Sequence, residues 1–300
     1  MKGPLAALAF LCLMVGPVLS YAQDSGLKKI VAVSRFDNKS SYHGQWHIDN
    51  GMADQLTDAL IRSGRFVVLE RQTLKDVLDE QDLAASGRAQ KSQSAKTGKL
   101  TSAQILIKGA VTEFEERTSG GGAGIGIMGF RLGGRKEDAH VGLIIRLIDT
   151  TTGKVLDSQR VEGRAESGGV GLDVYKSGVA FGTDAFSKTP LGKATQAAID
   201  NAVEIIASKL KNVPFQARII KTSGSEIYVG ASQETGTTVG TVFGVYTVGE
   251  ELTDPVTGEI LGAEEKKIGS IEIVEVKEKY SKAKVLSGKG FERGNIIRTE

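Results

Sequence analysis

The stretch that decides the fold is Gly109–Asp149, which reads GAVTEFEERTSGGGAGIGIMGFRLGGRKEDAHVGLIIRLID. Its first leg resembles a strand and runs into eight glycines between Gly120 and Gly134. Its second leg, Val141–Leu147, alternates apolar residues with others, which is the pattern of a strand with one apolar face. Two extended legs around a glycine-rich tip predict a long β-hairpin. Glycine weakens a strand interior, so this much of it indicates close packing or a thin wall.

The faces of this hairpin suggest a membrane role. Val141, Leu143 and Ile145 would face lipid if copies from several chains joined their hairpins into one barrel. A barrel strand needs only ~9–11 residues to cross a bilayer. The alternative is an amphipathic hairpin that lies on the protein's own surface, and the alternation alone fits both.

A second hairpin is predicted between Leu156 and Thr183, where the same pattern recurs. Charged residues occupy every second position there, and small or apolar residues occupy the positions between them. The charged positions are Arg160, Glu162, Arg164 and Glu166. A wall between water and lipid requires such an alternation.

Composition excludes several classes of protein. The chain has 300 residues, 40% of them hydrophobic, which is enough for two domains with separate cores. The net charge is +2, with acids and bases interspersed, so we expect no nucleic-acid partner. After the N-terminal segment no run of 18 apolar residues occurs, so no transmembrane helix is expected.

Residues 1–22 are predicted to be a secretory signal peptide. Lys2 precedes the apolar run Leu5–Leu19, and small residues precede a cleavage point after Ala22. The only cysteine, Cys12, lies inside that run, so the mature chain would form no disulfide. Leu11 is not the small residue that a lipidation signal requires before its cysteine, so we expect no lipid anchor.

Residues 27–212 are predicted to form an α/β layer domain, because strand-like and helix-like segments alternate there. Ile30–Val33 is a buried-type strand, and Asp49 or Asn50 is placed to cap the helix that follows. The last helix is predicted to have Thr189 as its cap and Pro190 at its first position. Together with the second domain, this gives an α+β fold.

Residues 213–300 are predicted to form a small all-β barrel or sandwich. Pro214 closes the preceding helix, and six short alternating segments follow, separated by turn signals such as Asp254–Gly258. The segment Gly240–Tyr246 and the turn after it resemble the SH3-like C-terminal module of FlgT-type flagellar proteins.

No recognisable catalytic or cofactor motif stands out. Gly124–Gly129 fits the spacing of a dinucleotide fingerprint, but Arg131–Gly134 follows where that motif requires a helix. His43 and His47 have a metal-like spacing only if their segment is helical, and Gly44 argues against that. We therefore predict a protein that is not an enzyme and holds no cofactor or metal.

Several short motifs, taken in order, resemble the CsgG/HfaB family over about Ile30–Leu210. The motifs are Val68–Gln72 with the helix Leu74–Glu80, Leu100–Gln104 with Ile107–Gly109, Ser119–Gly122, and Thr152–Leu156. The resemblance implies a homo-oligomeric ring in the Gram-negative outer membrane that secretes curli-type or holdfast-anchoring proteins without nucleotide hydrolysis. Each subunit would contribute two hairpins, here Glu115–Arg146 and Gln159–Phe181.

The resemblance also implies a channel constriction in the loop before the first long helix. The equivalent loop here is Ser40–Asn50, and the candidate residues are Tyr42, Gln45, Trp46 and Asn50. Copies of the two aromatic side chains would stack around the ring axis. Alternatively, Trp46 packs back onto its own domain over the helix that contains Met52.

The leading functional hypothesis is therefore an oligomeric outer-membrane secretion channel of the CsgG type, with an added periplasmic β-module. Its partners would be further copies of the chain and a secreted protein substrate. The second hypothesis is a soluble periplasmic adaptor or structural protein of a flagellar or cell-envelope assembly, which binds periplasmic accessory proteins. The absence of a lipidation signal and the FlgT-like tail favour the second hypothesis.

Overall fold

The computed structural model describes residues 26–44, 46–86, 88, 100–120, 126–127, 130–131, 135–169, 181–256, 258 and 260–299. The predicted signal peptide, Gln45 and the return leg of the second predicted hairpin at 170–180 lie outside these residues. Two hydrophobic cores organise the described chain. One draws on residues between Val31 and Leu210, and the other on residues between Phe215 and Ile297, so the predicted boundary at 212–213 falls between them.

The first core belongs to a mixed sheet with helices. The strands and helices of this part of the chain are β1 (Lys29–Val33), β2 (Asp37–Asn38), α1 (Ile48–Ser63), β3 (Phe66–Leu69), α2 (Leu74–Ala85), β4 (Ile105–Gly120), β5 (Gly126–Ile127), β6 (Phe130–Arg131), β7 (Arg135–Asp149), β8 (Val155–Gly169), α3 (Asp184–Ser187) and α4 (Pro190–Lys211). β5 and β6 pair with each other in a separate two-stranded sheet. The sheet order is β3-β1-β4-β7-β8, with β2 beside β4. β3, β1 and β4 are parallel, whereas β4, β7 and β8 are antiparallel. The mixed α/β prediction for this part is confirmed.

The helix caps agree only partly with the sequence prediction. The Thr189 hydroxyl accepts a hydrogen bond from the Gly192 amide at 3.0 Å, and Pro190 begins α4, as predicted. α1 begins at Ile48, two or three residues earlier than a cap at Asp49 or Asn50 implies, and the side chain of its actual cap, His47, makes no capping bond. Asp49 and Asn50 therefore lie in its first turn, and the prediction that one of them caps the helix is wrong.

β4 and β7 form the predicted long hairpin, and β8 extends it to three strands. Pairing between β4 and β7 runs from Ile105 opposite Asp149 to Gly120 opposite Arg135. On its other side, β7 stays paired with β8 as far as Gly169 opposite Arg135. We call the part of these three strands beyond Val111 the ribbon.

The three residues predicted to face lipid lie in the core instead. Val141, Leu143 and Ile145 are 0%, 0% and 2% exposed and share a core with the apolar stripe of α4. The prediction that they face a bilayer is therefore wrong for the chain in this structure. The physical reason is that an alternating strand specifies one apolar face without specifying what covers it, and here a helix of the same chain covers it.

The second core fills a closed barrel of six strands in the order β10-β13-β12-β11-β14-β9. The strands are β9 (Gln216–Ser223), β10 (Glu226–Val229), β11 (Val242–Thr253), β12 (Ile260–Val276), β13 (Ser281–Gly288) and β14 (Ile296–Arg298). Closure leaves no open strand edge along this cycle. The predicted small barrel is confirmed at this level of detail.

The two halves of the chain also touch. The Gln104 side-chain amide donates to the Gln216 carbonyl, and the Lys28 amide donates to the Thr235 carbonyl at 2.8 Å. None of the helices in the described residues combines the length and apolarity needed to span a membrane.

Candidate functional site

Five aromatic side chains meet beside the N-terminus of α1, and we call them the aromatic cluster. They are Tyr42, Trp46, Phe114, Phe181 and Phe186. Trp46 stacks on Tyr42 with ring centroids 5.9 Å apart and meets Phe186 edge-on at 5.0 Å. Tyr42 meets Phe114 edge-on, also at 5.0 Å. Such offset and edge-on pairs are the favoured aromatic geometries.

Local hydrogen bonds shape the loop that carries Tyr42 and Trp46. Asn38 Oδ1 accepts from the Ser40 amide at 3.0 Å, and Asn38 Nδ2 donates to the Tyr42 carbonyl at 3.0 Å. The Trp46 amide donates to the Tyr42 hydroxyl at 3.4 Å. These bonds turn the chain so that both rings point back onto their own domain.

The structure brings together two of the four predicted constriction residues. Tyr42 and Trp46 are half-buried neighbours that pack on the first core, as the alternative interpretation of Trp46 expected. Gln45 lies outside the described residues. Asn50 lies in the first turn of α1, and its buried Oδ1 has no hydrogen-bond partner.

Three members of the aromatic cluster were not predicted. Phe114 belongs to the inward face of β4, and its alternation could have indicated this. Phe181 reaches α1, where a Cβ on Gly51 would lie 2.3 Å from its ring, so the glycine makes room for the ring. The contact joins residues far apart in the chain and leaves no local signal.

A second group of side chains lies on the ribbon face opposite α4. Arg160 of β8 pairs with Glu113 of β4 across β7 and bonds Glu162 at 3.0 Å. This reach is possible because Gly142 lies between the two glutamates without a side chain, and a Cβ there would be 2.6 Å from Glu113 Oε2. Hydrogen bonds from Arg160 and then Arg164 hold the pKa of Glu162 below its ordinary value.

Among the described residues, this charged group also contains one set of side chains that could hold a metal ion. Ligand atoms of Glu113, His140 and Glu162 lie within 4.8 Å of one another. Both glutamates already bond arginine, however, so a cation would have to compete with two guanidinium groups. His43 and His47 do not lie on one helix: His43 is in the loop, as Gly44 indicated, and bonds the Ser41 carbonyl at 2.8 Å.

A basic cavity of about 260 Å³ lies on the same face of the sheet, over β2, β4 and β7. Its lining includes the cations Lys39, Lys108 and Arg146 and the single acid Asp37. Lys108 Nζ lies 3.5 Å from Asp37 Oδ2. The cavity is therefore rich in positive charge and suits an acidic group.

The fold and these sites define a mixed α/β protein with two hydrophobic cores, one under a sheet that carries a long three-stranded ribbon and one inside a closed six-stranded β-barrel. The family described as curli production assembly/transport component CsgG matches residues 19–219. This match covers more than half of the 300 residues, and the chain belongs to that family.

Individual relatives are more distant. A Neisseria meningitidis serogroup B protein, described by its name as a lipoprotein, is 26% identical over 211 residues, covering 68% of this chain and 86% of that protein. CsgG of Salmonella typhimurium is 26% identical over 107 residues, covering 34% of this chain and 39% of that relative. This chain therefore matches about two fifths of the curli component's length.

Two solved structures are similar at low scores. A hypothetical protein of Chlamydia trachomatis has a TM-score of 0.39 and 12% identity, covering 61% of this chain and 98% of its own. The PelC dodecamer of Paraburkholderia phytofirmans has a TM-score of 0.28 and 16% identity, covering 61% of this chain and 90% of its own. Family membership rests on the family match and not on these two structures.

Proposed function

We propose that this chain is the subunit of a homo-oligomeric ring in the Gram-negative outer membrane, acting as a secretion channel or assembly component of the CsgG type. The ribbon is the observation that carries the proposal. Beyond Glu113, the outer edge of β4 has no partner among the described strands, and β8 is the last strand of the sheet. Open edges accept further strands, and a bilayer tolerates strands only in a closed barrel. Copies joined edge to edge would satisfy both conditions.

The substrate in this proposal is a curli-like or surface-anchoring protein subunit that crosses the ring without nucleotide hydrolysis. The chain would act without a catalytic residue or cofactor. The barrel of residues 213–300 would lie on the periplasmic side as an SH3-like, FlgT-like module that binds an accessory protein. Hydrolysis of ATP by the purified ring would contradict the transport part of the proposal.

Cell fractionation tests the proposal directly. The expected result is a heat-resistant oligomer in the outer-membrane fraction, extracted only by detergent. A soluble periplasmic monomer would contradict it and support the second candidate, a periplasmic adaptor. One observation favours that candidate: Val141, Leu143 and Ile145 are already covered within a single chain. The fraction that contains the protein, together with its size on an unheated gel, therefore decides between the two functions.

We further propose that the aromatic cluster borders the passage through the ring. Tyr42 and Trp46 contact each other and are only half-buried, so this loop presents aromatic surface to a chain in transit. Replacing Tyr42 and Trp46 together with alanine should raise single-channel conductance in planar bilayers.

The matched control for this experiment is Phe186→Ala, which removes a buried member of the same cluster outside the loop. If the control raises conductance equally, the effect comes from loosened packing. Unchanged conductance in an intact double-variant ring would remove the loop from the passage.

A further inference from the structure

The basic cavity concentrates positive charge in an arrangement that does not stabilise the sheet. Lys108 of β4 lies directly opposite Arg146 of β7, and like charges in opposite positions destabilise a strand pair. Asp37 Oδ2 lies 3.5 Å from Lys108 Nζ and compensates that cation. Arg146 and the third cation, Lys39, make no ion pair with any described residue. Three cations against one acid leave the cavity with a net charge of +2.

The neighbouring part of the same sheet face is balanced. On the ribbon, Arg160 pairs with Glu113 and Glu162. Arg164 pairs with Glu162 as well. The surplus of positive charge therefore belongs to the cavity and is not a general property of this face.

A β-bulge brings a polar side chain to the cavity. The register of β4 against β7 shifts between Val111 and Glu113, so Thr112 is an extra residue without a paired residue on β7. Bulges redirect side chains and often lie beside functional sites. Thr112 lines the cavity, and its buried Oγ1 has no hydrogen-bond partner among the described residues. The Lys39 amide donates to the Val111 carbonyl at 2.8 Å, which holds Lys39 beside the bulge.

A phosphate group matches this combination of charge and hydrogen-bonding groups. A phosphate monoester carries a charge of about −1.5 to −2 and three strong acceptor oxygens. Arginine binds phosphate with two parallel hydrogen bonds, and lysine binds it as a point charge. A carboxylate has a single negative charge and would leave part of the surplus uncompensated. The cavity of about 260 Å³ also has Ala110 and Ile144 in its lining, which suit an apolar group attached to the phosphate.

We propose that the basic cavity binds the phosphate group of a phosphomonoester. Its partners in the cavity would be Lys39, Lys108, Arg146 and Thr112. The bound phosphate would compensate the like-charged pair across β4 and β7, and it would accept a hydrogen bond from the Thr112 hydroxyl. The site lies within a single chain, so the proposal is independent of the proposed ring.

Calorimetric titration of the purified full-length protein with inorganic phosphate tests the site. The ionic strength is held constant, so that general screening does not change. Arg146→Gln should weaken binding by about tenfold or more, because it removes a charged hydrogen-bonding partner of the phosphate. Arg293→Gln replaces an exposed arginine of the barrel and should bind like the wild type. Acetate is the control ligand and should bind more weakly than phosphate.

Thermal unfolding separates a binding role from a structural role. In buffer without phosphate, Arg146→Gln should unfold at the same temperature as the wild type or higher, because the substitution removes a like-charged pair. Added phosphate should raise the midpoint of the wild type and raise that of Arg146→Gln less, since a ligand that binds the folded state stabilises it. Fluorescence of Trp46 reports on this core. Thr112→Val keeps the shape of the side chain and should show the same pattern to a smaller extent.

Vesicles distinguish a lipid headgroup from a soluble phosphate ester. Phosphatidylcholine vesicles that contain phosphatidate, a phosphomonoester lipid, are compared with phosphatidylcholine alone by cosedimentation. Binding to phosphatidate that Arg146→Gln weakens assigns a lipid headgroup, whereas binding of inorganic phosphate without vesicle binding assigns a soluble ester. Three results would overturn the proposal: no binding of phosphate in either form, equal affinity of the wild type and Arg146→Gln, or acetate binding as tight as that of phosphate.

Discussion

At the residue scale, Gly163 fixes how closely α4 approaches β8. A Cβ at this position would lie 2.0 Å from the Ala194 carbonyl oxygen and 2.4 Å from the Ala198 amide nitrogen. Both are backbone atoms, so they cannot move aside by a change of rotamer. The glycine therefore allows α4 to cover the apolar face of the sheet, which in turn buries Leu143.

Gly163→Ala should destabilise the protein, because one methyl group would push a whole helix from the sheet. Overpacking of this kind costs about 1–3 kcal/mol, and urea unfolding would measure it. Gly230→Ala is the matched control, since its nearest neighbour to a new Cβ is 3.7 Å away. Equal stability of the two variants would contradict the close approach.

Trp46→Ala should cost more than Trp46→Phe. The alanine variant loses contacts with three phenylalanine rings and with Tyr42, whereas the phenylalanine variant keeps an aromatic neighbour for Phe186. Removing a large core aromatic costs about 3–5 kcal/mol, and the half-buried position places Trp46→Ala at the low end. Thermal unfolding of the monomer measures both, and two unchanged midpoints would show that the cluster contributes no stability.

At the scale of the element, β7 shows what a pattern can and cannot specify. The hairpin, its register of alternation and the Thr189 cap were predictable, because they depend on neighbouring residues. The cover over Val141 and Leu143 was not, because α4 lies far along the chain and an apolar face suits lipid or protein equally. The contacts of Phe181 and Phe186 with Trp46 could not be predicted for the same reason, because a tertiary contact leaves no periodic signal in the sequence.

Leu143→Arg should prevent folding in plain buffer, with no membrane present. Leu143 is fully buried, so the substitution would place an unpaired charge in the core, and such a charge is strongly destabilising. Circular dichroism and gel filtration of the purified chain measure this. Ser158→Arg, on an exposed position of β8, should fold normally. A well-folded Leu143→Arg monomer that fails only in membrane assembly would restore a lipid-facing role.

Glu275 on β12 makes the barrel sensitive to acid. Hydrogen bonds from Lys277 and Lys282 lower its pKa from 4.5 to about 2. Because the folded pKa is depressed, the stabilisation is present above about pH 4.5 and is lost as the pH falls toward 2. The thermal midpoint of the wild type should fall more steeply across this range than that of Glu275→Gln. Parallel curves would contradict the pairing, and Glu278→Gln serves as the exposed control.

At the scale of the whole molecule, the two cores permit separate unfolding. The single tryptophan, Trp46, lies against the first core, so its fluorescence reports on that half alone. Phe243→Ala removes a fully buried ring from the barrel. We expect this variant to lower the midpoint temperature of the barrel's unfolding, measured by far-UV circular dichroism. The midpoint measured by tryptophan fluorescence should stay unchanged. A common shift in both signals would show that the contacts from Gln104 and Lys28 couple the halves into one unit.

The open edges of the ribbon also affect the tendency of the protein to aggregate in a cell. An exposed strand edge can pair with any other extended chain, so a copy of this protein with open ribbon edges risks forming amorphous aggregates or fibres. Arg160, Arg164 and Glu162 on β8, with Glu113 on β4, place charge along the ribbon, and charged side chains oppose such misdirected pairing. If the proposed ring forms, the same residues would protect unassembled subunits from misdirected pairing until they meet the correct neighbour.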